Sequence, residues 1–339
     1  MALIEVRGLT TLFGPRPQAG LALWRQGLDK AALLAHGHVL ALQNVSLDIR
    51  AGEIFVIMGL SGSGKSTLVR HLNGLLRPTA GQVWIGEDEL TVLSSRRLNA
   101  LRRQRLAMVF QRFGLLAHRS VLDNVAFGLA LRGVAARERT ARARHWIERV
   151  GLQGWEAHRP AQLSGGMQQR VGLARALCSD TDIILMDEAF SALDPLIRSQ
   201  LQGELLTLQA ELGRTIVFVT HDLDEALRIG SRVAILRDGA VLQVGTPSEL
   251  LLQPADAHVA AFVADVNRAR ALRVDSALAP WPAGQPAPAP ERAVDADATL
   301  EQVLPRLVGR QAPLAVRRGG AVVGQVALDE VRALLVPPE

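Results

Sequence analysis

The chain of 339 residues predicts an α/β domain on a largely parallel central sheet, followed by a small α+β module. Three observations lead there. Short apolar runs of the buried-strand kind alternate with helix-like stretches as far as about residue 267. A glycine-rich loop joins one of those runs to a helix. Five of the 16 prolines fall between Pro280 and Pro290, in "APWPAGQPAPAPE", which reads as an extended linker over residues 269–292.

In chain order, the first diagnostic run is "EIFVIM", residues 53–58, a buried strand. It enters "GLSGSGKST", in which Gly59, Ser61, Gly62, Ser63, Gly64, Lys65 and Ser66 fit the phosphate-binding pattern G-x-x-x-x-G-K-[ST]. "KSTLVRHLNGLL" then reads as a helix. Glycines let backbone N–H groups curl around an anion, and the helix start adds unpaired donors and a positive dipole end. Lys65 is expected to reach the β/γ-phosphates of a nucleotide, and the Ser66 hydroxyl to help hold Mg²⁺. Residue choice reinforces this. Of 38 basic residues only Lys30 and Lys65 are lysine, and a compact ammonium fits between phosphate oxygens where a planar guanidinium fork does not.

"QVWI" (82–85) and "LAMVF" (106–110) are the next strands, and apolar spacing from about residue 98 to 163 is mostly helical, suggesting a helical subdomain. "LSGGMQQR" (163–170) opens another helix on two glycines, with Ser164 a good N-cap. One nucleotide does not need two glycine-led helix starts, so this segment points to a surface that completes the site of a second subunit. "IILMDE" (183–188) is a buried strand ending in two carboxylates. Asp187 is expected to support Mg²⁺ and Glu188 to polarise an attacking water, the alternation of strand side chains giving the two acids different directions. "TIVFVTH" (215–221) and "RVAIL" (232–236) complete the sheet. Beyond the linker, residues 293–339 read as strand, helix, strand, "RRGG" turn, strand and helix.

Composition narrows the function. The net charge is +5, but the arginines are dispersed through the chain. The densest clusters, "SSRRLNALRRQRL" and "RERTARARHW", have the spacing of solvated helix faces, a composition that a basic surface near anionic lipid headgroups would share, and no nucleic-acid partner is expected. A single cysteine, Cys178, excludes an internal disulfide framework and a cysteine-based zinc site. No leader-like N-terminus and no apolar run near the ~18 residues of a membrane span are present. The expected location is the cytosol, with any membrane attachment made through a partner.

The ordered set "GLSGSGKST", Gln111 in "MVFQRFGLL", "LSGGMQQR", "IILMDE", "SALD" and His221 in "FVTHD" resembles the nucleotide-binding subunit of ATP-binding cassette (ABC) proteins across residues 1–268. The resemblance implies a P-loop NTPase fold and a head-to-tail homodimer, with ATP held between one subunit's phosphate loop and the other's LSGGM segment. It implies that Lys65, Ser66 and Thr67 contact phosphates and metal and that Gln111 approaches Mg²⁺ and the lytic water. It also gives Asp187 to the metal, Glu188 the role of general base, and His221 a contact with the γ-phosphate and a share in helping the base. Asp194 lies at the dimer junction, and Ser164, Gly165 and Gly166 clasp the partner's ATP. Phe13 in "LFG" matches the aromatic that stacks on adenine, with Trp24 the alternative.

Within the family the wording is most similar to the ATPase subunits of glycine betaine/proline-type quaternary-amine importers. The insertion "FGPRPQAGLALWRQGLDKAALLAHG" is characteristic of that subgroup. The C-terminal piece resembles one cystathionine-β-synthase (CBS) module, where the subgroup carries two. Implied partners are a membrane permease, whose coupling helix would enter a groove near Leu115, Leu116 and His118, and a periplasmic or membrane-tethered substrate-binding protein. The implied position is peripheral, on the cytoplasmic face of the membrane. The competing class is a soluble cassette ATPase acting on DNA or ribosomes. Only about 100 residues separate the phosphate loop from LSGGM, too few for a long coiled coil, and there is one cassette rather than two.

Overall fold

The computed structural model describes residues 2–110, 114–191, 193–281, 293–308 and 312–336. Two compact units are present: Met1–His221 with Ala234–Leu242, and Asp222–Val233 with Gln243–Glu339.

The chain begins with β1 (Ala2–Phe13), the hairpin helices α1 (Pro17–Arg25) and α2 (Lys30–Ala35), β2 (Val39–Arg50), β3 (Ile54–Met58) and α3 (Lys65–Leu72). It continues through β4 (Ala80–Ile85), β5 (Asp88–Glu89), α4 (Ser95–Arg105), β6 (Leu106–Val109), α5 (Val121–Leu131), α6 (Ala136–Arg149) and α7 (Gly165–Cys178). Then come β7 (Ile183–Asp187), α8 (Pro195–Leu212), β8 (Thr215–Thr220), α9 (Leu223–Ile229), β9 (Arg232–Arg237) and β10 (Ala240–Gly245). The remaining elements are α10 (Pro247–Leu252), α11 (Ala257–Phe262), α12 (Arg268–Ala271), β11 (Val294–Asp295), α13 (Leu300–Leu307), β12 (Leu314–Arg318), β13 (Ala321–Val326) and α14 (Leu328–Leu335).

The central sheet runs β10-β9-β3-β8-β7-β6, with β3, β8, β7 and β6 parallel. β3 and β8 are buried at every position, as parallel strands covered on both faces must be. A second sheet, β2-β1-β4-β5, is antiparallel. The α1–α2 hairpin has its own small core, where Leu21 and Leu33 pack with Leu12 of β1 and Leu40 of β2.

Helices α5, α6 and α7 share a core containing Val125, Leu129, Ala143, Ile147 and Ala174. Cys178 is buried there, and burial pushes its thiol up to about 11, so it packs as a small apolar side chain. The helical layer starts later than the expected residue 98, because Leu106–Val109 returns to the sheet as β6 beside β7. α4 therefore precedes a sheet strand instead of opening the layer.

In the second unit, β11-β12-β13 forms a small sheet with α13 and α14. Residues 269–281 were expected to begin a linker. Instead α12 runs to Ala271, Val274–Ala277 is a 3₁₀ turn, and Ala279 exchanges backbone hydrogen bonds with Gln325 on β13. The local sequence hides this because Leu272 and Val274 are buried by tertiary packing. Buried Arg268 donates to the carbonyls of Leu334 and Leu251, satisfying acceptors that helix ends leave unpaired.

Removing a methylene-rich side chain from the three-helix core has a defined consequence. Ile147→Ala is expected to lower unfolding free energy by about 2–5 kcal/mol, while truncating exposed Leu34 changes it by less than about 0.5 kcal/mol; urea denaturation measures both.

Candidate active site

Parallel pairing brings the chemistry together. Met58 of β3 is in register with Thr220 of β8, and Asp187 of β7 with Val219 of β8. Gly59, Glu188 and His221 therefore leave the carboxyl ends of three adjacent strands, where ligands bind in open α/β sheets.

Gly59 has φ +153°, and a Cβ there would stand 2.1 Å from the Leu236 carbonyl oxygen, so the loop can begin only with glycine. Lys65 is 5% exposed at the start of α3. Its ammonium donates to the carbonyls of Gly59 at 2.8 Å and Leu60 at 3.0 Å, turned back into its own loop. Burial pushes its pKa down, opposed by the carboxylates of Glu188 and Asp187. Ser63 is also buried, and its hydroxyl has no partner among the described residues. A buried ammonium and an unpaired buried hydroxyl in one glycine loop suit an anionic ligand.

Ser66 Oγ donates to Asp187 Oδ1 at 3.3 Å. Burial raises the Asp187 pKa and the Ser66 hydrogen bond lowers it, with the Glu188 charge raising it further and Arg70 and Lys65 opposing. A hydroxyl and a carboxylate oxygen are hard donors that fit Mg²⁺ alongside phosphate oxygens. Among the described residues no cluster of three His, Cys, Asp or Glu side chains could hold a metal alone, so phosphates would have to complete such a site.

Glu188 differs from the expectation of simple strand alternation. It lies past the end of β7 with φ +46°, a left-handed conformation uncommon for glutamate. Its N–H donates to the Val219 carbonyl at 3.0 Å, and its own carbonyl accepts from Ser191 N at 3.2 Å and Ser191 Oγ at 2.9 Å. The backbone turn, not the pleat, separates the two acids. Glu188 Oε1 stands 3.5 Å from His221 Nδ1, which gives the carboxylate an orienting neighbour.

Ser164 caps α7 by accepting from Met167 N, and Asp194 caps α8 by accepting from Ile197 N. Gly165 and Gly166 form the first turn of α7, and a Cβ at Gly166 would be 3.0 Å from Ile197 Cγ2, so the two helix starts adjoin. Neither Lys65 nor Ser66 has a hydrogen bond to this group among the described residues. Gln111 lies outside the described residues.

Phe13 ends β1 and is 43% exposed opposite Val39, which is 50% exposed. Trp24 is half-buried against the core of the α1–α2 hairpin, so Phe13 is the ring presented at the strand end. Leu115 and Leu116 are half-buried, Leu115 against the three-helix core, and His118 is exposed.

Two contributors escaped the sequence reading. Val39 follows from the β1–β2 register, which no motif encodes. Asn124 is fully buried on α5; it accepts from Leu116 N at 2.8 Å and donates to the carbonyls of Leu116, Arg119 and Ser120. Its one signal was a polar residue on the inner face of an apolar helix.

The ABC transporter family profile matches residues 42–191, a span holding the phosphate loop, LSGGM and the acid pair. Together with relatives aligned over nearly the whole chain, this establishes that the chain belongs to the ABC transporter family as an ATP-binding cassette ATPase. It is 50% identical over 270 residues to the glycine betaine transport ATP-binding protein OpuAA of Bacillus subtilis, covering 79% of this chain and 65% of that protein. It is 46% identical over 333 residues to the glycine betaine/proline betaine transport system ATP-binding protein ProV of Salmonella typhimurium, covering 98% and 82%. It is also 45% identical over 333 residues to the trimethylamine N-oxide transport system ATP-binding protein TmoW of Ruegeria pomeroyi, covering 98% and 96%. Among solved structures, the dimeric post-hydrolysis state of the ATP-binding cassette MJ0796 bound to ADP and Pi matches with TM-score 0.61 and 34% identity, over 72% of this chain and 98% of that one.

The raised Asp187 pKa has a sign that can be checked. Ionised Asp187 opposes folding, so the stability linked to this group is fully present below the unfolded carboxylate range and is lost as pH rises through the folded value. Without nucleotide or Mg²⁺, Asp187→Asn is expected to melt above wild type at pH 7–8, the gap closing as pH falls toward 4. A gap that widens on acidification would reverse the assignment.

Proposed function

We propose that this protein is the ATP-hydrolysing subunit of an ABC importer that takes up glycine betaine, proline betaine or choline-type osmoprotectants. The observation that carries the hydrolytic part is the joining of Lys65, Ser66, Asp187, Glu188 and His221 on adjacent strand ends. The substrate class rests on the similarity to betaine-transport ATP-binding proteins.

In this reading Gly59, Ser61, Gly62, Ser63 and Gly64 present the loop to the phosphates, Lys65 balances their charge and Thr67 adds a hydroxyl. Phe13 stacks on adenine. Ser66, Asp187 and Gln111 hold Mg²⁺, which when bound neutralises phosphate charge. Glu188 accepts the proton of the attacking water, and His221 orients Glu188. Ser164, Gly165 and Gly166 close over the ATP of a second copy and Asp194 lies at that junction, so the working unit is a homodimer. Closure drives a membrane permease through the surface near Leu115, Leu116 and His118, and a periplasmic or membrane-tethered substrate-binding protein delivers the solute. The subunit sits peripherally on the cytoplasmic face; no helix among the described residues is long and apolar enough to cross a membrane. Residues 293–339 act as a single CBS-like module.

Glu188→Gln is expected to lower turnover by about 10²–10⁴-fold while nucleotide binding is kept. Turnover near wild type would remove Glu188 as the base. Tagged Glu188→Gln protein, with ATP and Mg²⁺, is expected to retain a polytopic permease from solubilised native membranes. Ribosomes or DNA in its place would sink the transport reading. Vesicles bearing the purified complex should accumulate labelled glycine betaine, and preference for trimethylamine N-oxide would reassign the substrate.

A further inference from the structure

The second lysine also has a structural task. Lys30 lies on α2, and its ammonium donates to the backbone carbonyl of Asp238, which also accepts from Gln43 Nε2 at 2.9 Å. Asp238 (φ +50°) and Gly239 (φ +76°) form the left-handed turn between β9 and β10. Gly239 N–H donates to the Ser63 carbonyl at 3.0 Å, inside the phosphate loop, and the Gly239 carbonyl accepts from Gln43 N at 2.8 Å. A Cβ at residue 239 would stand 2.5 Å from the Ala41 carbonyl oxygen, so the turn rests directly on β2.

We propose that Lys30 is a positioning residue for the phosphate loop, acting through the Asp238–Gly239 turn on Ser63. The links are contiguous. Leu21 and Leu33 anchor the hairpin against Leu12 and Leu40, and Asp29 caps α2 by accepting from Ala32 N. Lys30 then makes a charge-assisted hydrogen bond to the turn, stronger than a neutral one. The turn in turn holds the carbonyl of Ser63, between Gly62 and Gly64 of the loop. The ammonium meets a carbonyl already shared with Gln43 Nε2, so two donors converge on one acceptor. The inserted hairpin thereby takes part in shaping the nucleotide site from outside it.

The inference rests on reading Gly59–Thr67 as the phosphate site. The test uses the full chain and measures binding of Mg·ATP and of inorganic tripolyphosphate, kcat at saturating ATP, and the thermal midpoint without ligand. Lys30→Met is expected to weaken both ligands by about 3–10-fold, the scale of one charge-assisted hydrogen bond acting indirectly, with kcat within about twofold and the midpoint unmoved. Lys30→Arg, which keeps a donor, recovers most of the loss. Gln43→Met gives a smaller loss of the same kind, non-additive with Lys30→Met because both act on one carbonyl. Unchanged affinity in both variants would overturn the proposal, as would a loss confined to ATP, which would shift the effect to the adenine side. A loss that merely follows a falling midpoint would also overturn it. Wild-type protein binding neither ligand would remove the phosphate-site reading, and the inference with it.

Discussion

A positive charge buried at the mouth of a parallel sheet must be held, and much of this fold is arranged around holding Lys65. Burial opposes its charge; Glu188 and Asp187 favour it; the carbonyls of Gly59 and Leu60 supply direct acceptors. Each of those groups depends on a different element: β3 for the loop's origin, β7 for the acids, α3 for the lysine itself. The carbonyl partners belong to the loop's own backbone, so on the proposed reading a polyphosphate would compete for an ammonium already turned inward.

The acids solve the complementary problem. Burial raises the Asp187 pKa, and the neighbouring Glu188 charge raises it further. The left-handed turn at Glu188 separates them at a backbone cost of roughly 1–2 kcal/mol. Hydrogen bonds to Val219 and Ser191 hold that turn in place, and they lead into the segment carrying Asp194. The backbone at Glu188 is thus tied to the residues just before the start of α8.

Support from outside the site recurs elsewhere in the first unit. Asn124 fastens the backbone of residues 116–120, accepting from Leu116 N and donating to the carbonyls of Leu116, Arg119 and Ser120. That stretch follows Gln111 in the chain and includes the surface proposed for the permease. Lys30 stands in a similar relation to the phosphate loop. In both cases a side chain on a helix fixes a loop whose own residues are mostly small or exposed, so precision comes from the helix packing beneath.

The sequence by itself determined the strands from Ile54 to Ile235, the glycine loop, the acid pair and the two glycine-led helix starts. Those features are written in contiguous residues whose local physics is sufficient: apolar runs too short for anything but buried strands, glycines where backbone must approach an anion, a cap before each helix. Only the tertiary structure decided the rest. Leu272 and Val274 are buried by partners far along the chain, and Phe13 is more exposed than Trp24 because Trp24 packs on a hairpin core. The turn at Glu188 and the path from Lys30 to Ser63 are set by hydrogen bonds between residues as much as 208 positions apart. Such contacts leave no periodicity or spacing in a sequence, since neither partner's neighbours record where the other will be.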